Sequence, residues 1–135
     1  MATSEIIVLA NAIIAEISGS MLAYAPDFAL LPKSTTKIYI APQEEIISAF
    51  ERGKNQVTRK IAILWCRKIV SDSEIEPVIL EREAIRNSFF RQRLAGQMCS
   101  AAELTPFYDS AILREQKVLA APLILTFQSF SNPVA

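Results

Sequence analysis

Apolar residues along this chain recur mostly at helical spacing. Ser4 followed by Glu5 has the form of a helix start, and the apolar stretch to about Ser18 meets Gly19, which can take the left-handed closing conformation. Apolar side chains lie nearly all around this stretch, so such a helix is covered by its own core or by another subunit. From Ser20 to Pro42 the prolines Pro26, Pro32 and Pro42 break regularity, and Lys37-Ile38-Tyr39-Ile40 is a short β-like run inside an irregular connector. Pro42 then stands at a helix-opening position with Glu44 and Glu45 behind it, and Ile46, Phe50, Val57, Ile61 and Leu64 follow at spacings of three, four and seven. The pattern predicts one long helix there, or two in series with a break near Gly53.

Ser73 with Glu76 has the spacing of a capping box, so a third helix is expected from near Glu74, with Ile75, Val78, Ile79, Ile85 and Phe89 on one face and Gly96 as terminator. Thr105-Pro106 opens a fourth helix running to about Leu119, with Ser100 and Glu103 as a competing start. Pro122 ends or kinks it, and residues 123–127 form a strand or a buried apolar extension before the tail around Pro133. The economical fold is mainly α, an all-alpha helical bundle. It has about four amphipathic helices around one core in a single domain spanning 1–135, with room for a short two-stranded β element. The alternative is an α+β domain in which residues 37–41 and 123–127 pair as a small sheet.

Composition makes the chain a folded domain with apolar surface to spare, since hydrophobic residues reach 51% with only 3 glycines and mean hydropathy is +0.26. That excess favours a protein partner or a second copy. Lys plus Arg balance Asp plus Glu at 14 each, so no net field draws the molecule to nucleic acid or an anionic membrane. Cys66 and Cys99 lack metal-site or disulfide-scaffold spacing and read as free buried thiols of a cytoplasmic protein. Glu16 and Asp27 interrupt the apolar N-terminal region short of the roughly 18–20 uncharged residues that cross a bilayer. No transmembrane span or secretory signal is expected, and peripheral membrane contact is the minor alternative.

The absence of histidine removes the Ser-His and Cys-His nucleophile systems and the HExxH zinc sites. With two separated cysteines, no tetrahedral zinc site can be assembled within one chain. Glu74, Glu76, Glu81 and Glu83 cluster where acidic residues stabilise a helix start, and Gly19, Gly53 and Gly96 are too dispersed for a phosphate-binding loop. No enzyme activity, cofactor or metal is expected.

The positive feature is a basic face on the second expected helix, formed by Arg52, Lys54, Arg59, Lys60, Arg67 and Lys68, with Arg52 and Arg59, and Lys60 and Arg67, each seven apart. Arg86, Arg91 and Arg93 extend it if the third helix packs alongside. Adjacent Phe89 and Phe90 point about 100° apart on a helix, so one of them, like Trp65, is a candidate interface anchor. The stretch from Glu51-Arg52-Gly53 through Val57, Arg59 and Lys60 resembles the glycine-to-VRxF pattern of phycobilisome linker repeats at those positions, without the aromatic after the arginine. No functional residue is carried over from it.

These features lead to the expectation of a non-enzymatic protein-interaction subunit or adaptor within a larger or self-associating assembly, using Arg52, Arg59, Lys60, Trp65, Arg67, Phe89 and Phe90. The alternative is a small nucleic-acid-binding regulator using the basic face around residues 52–68.

Overall fold

A computed structural model describes residues 4–26, 28, 31–32, 35–105 and 107–131, leaving aside the side chains of Phe50 and Ser131. It corrects the mainly α expectation. The chain is dominated by a six-stranded, mixed, curled sheet of order β1-β2-β3-β6-β5-β4. The strands are β1 (Ser20–Leu22), β2 (Lys37–Glu51), β3 (Lys54–Lys68), β4 (Arg93–Leu94), β5 (Gln97–Glu103) and β6 (Val118–Ser131), with helices α1 (Glu5–Glu16), α2 (Ile75–Phe89) and α3 (Ser110–Gln116). β1 runs parallel to β2, and every other pairing is antiparallel.

The second expected helix is a β-hairpin. β2 and β3 pair from Lys37 opposite Cys66 to Glu51 opposite Lys54, leaving Arg52-Gly53 as the loop. Gly53 at φ +85° supplies the left-handed backbone this reversal needs, so the residue read as a helix break is the turn. The helical reading came from residues on different strands: Ile46 and Phe50 belong to β2, whereas Val57, Ile61 and Leu64 belong to β3. Within β3 the apolar positions alternate, with Ile61, Ile63 and Trp65 toward one core and Leu64 and Cys66 toward the other. A strand covered on both faces is apolar at nearly every position, and over a short window that imitates a buried helix.

Both prolines expected to bound helices sit inside strands, at places where the ladder is incomplete. Pro42 adjoins a bulge in β2, beyond the last residue paired by β1. Pro122 lies in β6 before β5 begins to pair at Ile124. An open ladder position tolerates the missing N–H. Residues 37–41 and 123–127 are strands, but they do not pair with each other, because β3 lies between them.

Three expected helices survive in altered form. α1 starts after Ser4 and buries Leu9, Ala10 and Ile13, and Gly19 follows it at φ +80°. α2 is preceded by a 3-10 turn whose capping box is Ser71 with Glu74, two residues before the expected pair Ser73 and Glu76. α3 is shorter than expected and opens at Asp109, whose side chain accepts from Ile112 N at 3.0 Å. Pro106 and Pro133 lie outside the described residues. Ser100 and Glu103, the competing helix start, belong to β5.

The main core lies between one face of the sheet and α1 with α2, and it joins Leu9, Ile13, Ile61, Ile63, Trp65, Val78, Leu123, Leu125 and Phe127. A smaller cluster on the other face packs Leu31, Cys66 and Val118 with Phe28, Tyr39, Leu64 and Ile112. The two faces explain the 51% hydrophobic content differently from the sequence reading: much of the apparent surplus fills two cores of one sheet.

Candidate functional site

Past Pro42 the β2 strand of the hairpin becomes exposed, although Val57 and Arg59 on β3 remain buried. Gln43 to Ala49 are all exposed, and β2 has no partner on its outer side beyond Ile40 among the described residues. Adjacent strand residues point to opposite faces, yet Ile46 is 48% and Ile47 63% exposed, so β2 is open on both faces here, while Val57 and Arg59, opposite Ile47 and Glu45 on β3, stay buried. With the ends of β3 and β6 it forms a three-stranded ribbon, on which Phe130 is also 55% exposed. At about 3.3 Å per residue, Gln43 to Glu51 offers an unpaired edge close to 30 Å long.

One charged residue ties this ribbon to the body. Arg59, on β3, is almost completely buried, and its Nε and Nη2 reach Glu45 Oε1 at 3.1 and 3.0 Å across the β2 ladder. Its Nη1 donates to Gln97 Oε1 at 2.8 Å and to Ser129 Oγ at 3.4 Å. A guanidinium has donors enough to serve β2, β5 and β6 at once, which a lysine ammonium cannot do in one plane. These groups border a groove of about 360 Å³ lined by Glu5, Ile47, Val57, Arg59, Gln97 and Phe130, with Ala95, Gly96 and Ser129 completing it.

The expected partner-binding residues do not form one surface. Spacing by seven keeps two residues on one helix face but sends them to opposite faces of a strand, so Lys60 and Arg67 diverge. Arg52 is exposed at the hairpin turn, Arg59 is engaged as described, and Lys60 lies across the ladder from Glu44. Arg67, at the other end of β3, pairs with Glu74 at 2.9 Å and donates to Thr36 Oγ1 at 3.2 Å. Trp65 sits fully buried in the main core, where its Nε1 has no hydrogen-bond partner among the described residues. Phe89 is buried, whereas Phe90, one step further on, is 41% exposed beneath the Arg91 guanidinium at 5.3 Å. Of the two phenylalanines, Phe90 keeps the exposure an interface anchor needs.

Sequence reasoning missed Glu45, Gln97 and Arg82. Arg82 is fully buried on α2, donating to the carbonyls of Phe107 and Pro122 and lying 4.4 Å from the Phe107 ring centroid. It joins the helix to the open stretch of β6, while its Nε and Nη2 have no partner among the described residues. The spacing Val78, Arg82, Ile85, Phe89 was a legible sign, because it puts the arginine in the middle of the buried stripe.

Two titrating groups have clear settings. The Glu74 carboxyl is held below its ordinary value by the backbone N–H groups of Ser71 and Val70 and then by Arg67. Burial pushes the Cys66 thiol up to about 12, and both cysteines are free and buried. A thiol so placed stays protonated and is a poor nucleophile. Among the described residues no three His, Cys, Asp or Glu side chains are placed to hold a metal ion. No helix among them is long and apolar enough to cross a membrane. No protein family matches the chain, and no curated protein matches it.

Proposed function

We propose that this chain is a non-enzymatic interaction subunit whose docking element is the ribbon of β2, β3 and β6, with the exposed end of β2 at its edge. The observation that carries the reading is the exposure of Ile46 and Ile47 on opposite faces of a strand whose outer edge beyond Ile40 has no partner among the described residues. Long exposed edges carrying apolar residues invite pairing with another chain, and monomeric proteins normally blunt them. Here Glu44, Glu45 and Glu51 supply charge along the edge, which discourages indiscriminate pairing and leaves room for a matched partner. A cytoplasmic setting suits two buried thiols that are unbridged.

The test is position-specific photo-crosslinking in the native host, with a photoreactive residue at Ile47 and, as a control, at Leu80, which is exposed on α2 far along the chain from the ribbon. Adducts formed from position 47 and absent from position 80 support the reading. A chain that yields no adduct from position 47, or the same adducts from both, is not a subunit that docks through this ribbon.

A further inference from the structure

The free edge of β2 has a polarity that suits it to itself. Its base carries Glu44 and Glu45, its middle is Ile46-Ile47-Ser48-Ala49, and its tip carries Glu51 followed by Arg52 and Lys54. Two of the acids are already neutralised within the chain, Glu45 by Arg59 at 3.0 Å and Glu51 by Lys54 at 3.5 Å. Glu44 and Arg52 remain, both exposed and neither in an ion pair among the described residues. One end of the edge therefore presents Glu44, which faces Lys60 across the ladder without an ion pair among the described residues, the other presents Arg52, and the stretch between Glu45 and Glu51 carries no charge.

From this arrangement we infer that the ribbon's partner is a second copy of this chain, paired antiparallel along β2 about a two-fold axis near Ser48. This rests on the ribbon being the docking element. A two-fold interface matches a surface with itself, so residue i meets j where j meets i. In an antiparallel strand pair such a symmetry puts one residue opposite its own copy. Placing Ser48 there brings Ile47 opposite Ala49 and, past the irregularity between Ala49 and Glu51, Glu44 of each copy toward Arg52 at the other's turn, making two opposite-charge contacts; Glu45 then faces Glu51, each already ion-paired within its own chain. Centring on Ile46 sets Glu44 opposite Ser48, and centring on Ile47 sets Arg52 opposite Pro42, so both leave the two charges apart. A parallel, in-register pairing would stack Glu44 on Glu44 and Arg52 on Arg52. The continuous sheet so formed also satisfies the edge N–H and C=O groups of both copies and covers Ile46 and Ile47 further.

The test is Ser48→Cys in the full chain, since the native thiols are buried and leave position 48 as the accessible one. Mild oxidation is expected to give a disulfide-linked species of twice the 15.0 kDa chain mass, and a Leu80→Cys control is expected not to. Charge reversal supplies the second arm. Glu44→Arg and Arg52→Glu are each expected to weaken self-association on the order of tenfold, and the double reversal to regain it. A chain that stays monomeric by light scattering, and whose Ser48→Cys variant forms no disulfide-linked dimer, overturns the inference, as does a dimer that links through Leu80→Cys instead. Photo-crosslinking from Ile47 to a different protein, without a homodimer, also overturns it while leaving the docking role of the ribbon standing. If position 47 captures nothing at all, both readings fall.

Discussion

Removing Glu45 should destabilise this protein more than removing Arg59, although Glu45 is the more exposed of the two. The side chain of Glu45 is 37% exposed and that of Arg59 8%, and Arg59 also serves Gln97, which is 3% exposed. Glu45→Ala leaves a nearly buried cation whose remaining acceptors, Gln97 and Ser129, are neutral. Breaking a buried pair in this direction costs about 3–5 kcal/mol, and the partial exposure of Glu45 brings the expectation to about 2–3 kcal/mol. Arg59→Met removes the charge and keeps most of the stem. It orphans the buried Gln97 carbonyl, at about 1–3 kcal/mol, but recovers the guanidinium's desolvation cost, so the net loss should be about 1–2 kcal/mol. In the double variant the second change should add little, giving a coupling of about 1–2 kcal/mol in a double-mutant cycle. Urea unfolding at fixed pH and ionic strength measures all four corners, and each kcal/mol should also shift Tm by about 3–4 °C for a chain of this size. The reasoning is refuted if Glu45→Ala costs less than Arg59→Met, or if the two effects simply add.

Gly53→Ala should cost about 1–2 kcal/mol from the left-handed backbone alone, because a Cβ there meets nothing within 4 Å; thermal unfolding would detect a larger loss, which would mean the turn packs against something. Glu74→Gln should lower Tm at neutral pH. Because the folded carboxyl lies below its ordinary 4.5, its contribution is present above that value and lost as pH falls through the folded value, so the Tm difference from the parent chain should vanish in acid. A difference that persists unchanged at low pH would assign the effect to packing rather than charge.

The outcome at each segment follows from the range of the interactions that decide it. α1 and α2 were legible because helix-start residues and i to i+4 spacing act within a few residues: Ser4, the acids near Glu74 and the glycine after α1 mark local events, whereas α3 opens at Asp109 and not at the expected Thr105. The hairpin was legible in part, since Gly53 divides two β-branched runs that end up as strands of equal length, 15 residues each. The same runs also fit a helix, and only pairing with β6 along the whole of β3 settles the choice. Those contacts join residues as distant in sequence as Asn55 and Ser131, and no local window contains them. The basic stripe failed for the same reason: its residues are real, but a strand sorts odd and even positions to opposite faces. Composition determined that the chain would hold much apolar surface and lack histidine chemistry. Tertiary structure alone decided that much of this surface fills two cores, that Arg59 is buried, and that Ile46, Ile47 and Phe130 stay exposed together on β2 and β6. Burial is a property of what packs opposite a residue, and that is set by long-range pairing rather than by the residue's own neighbours.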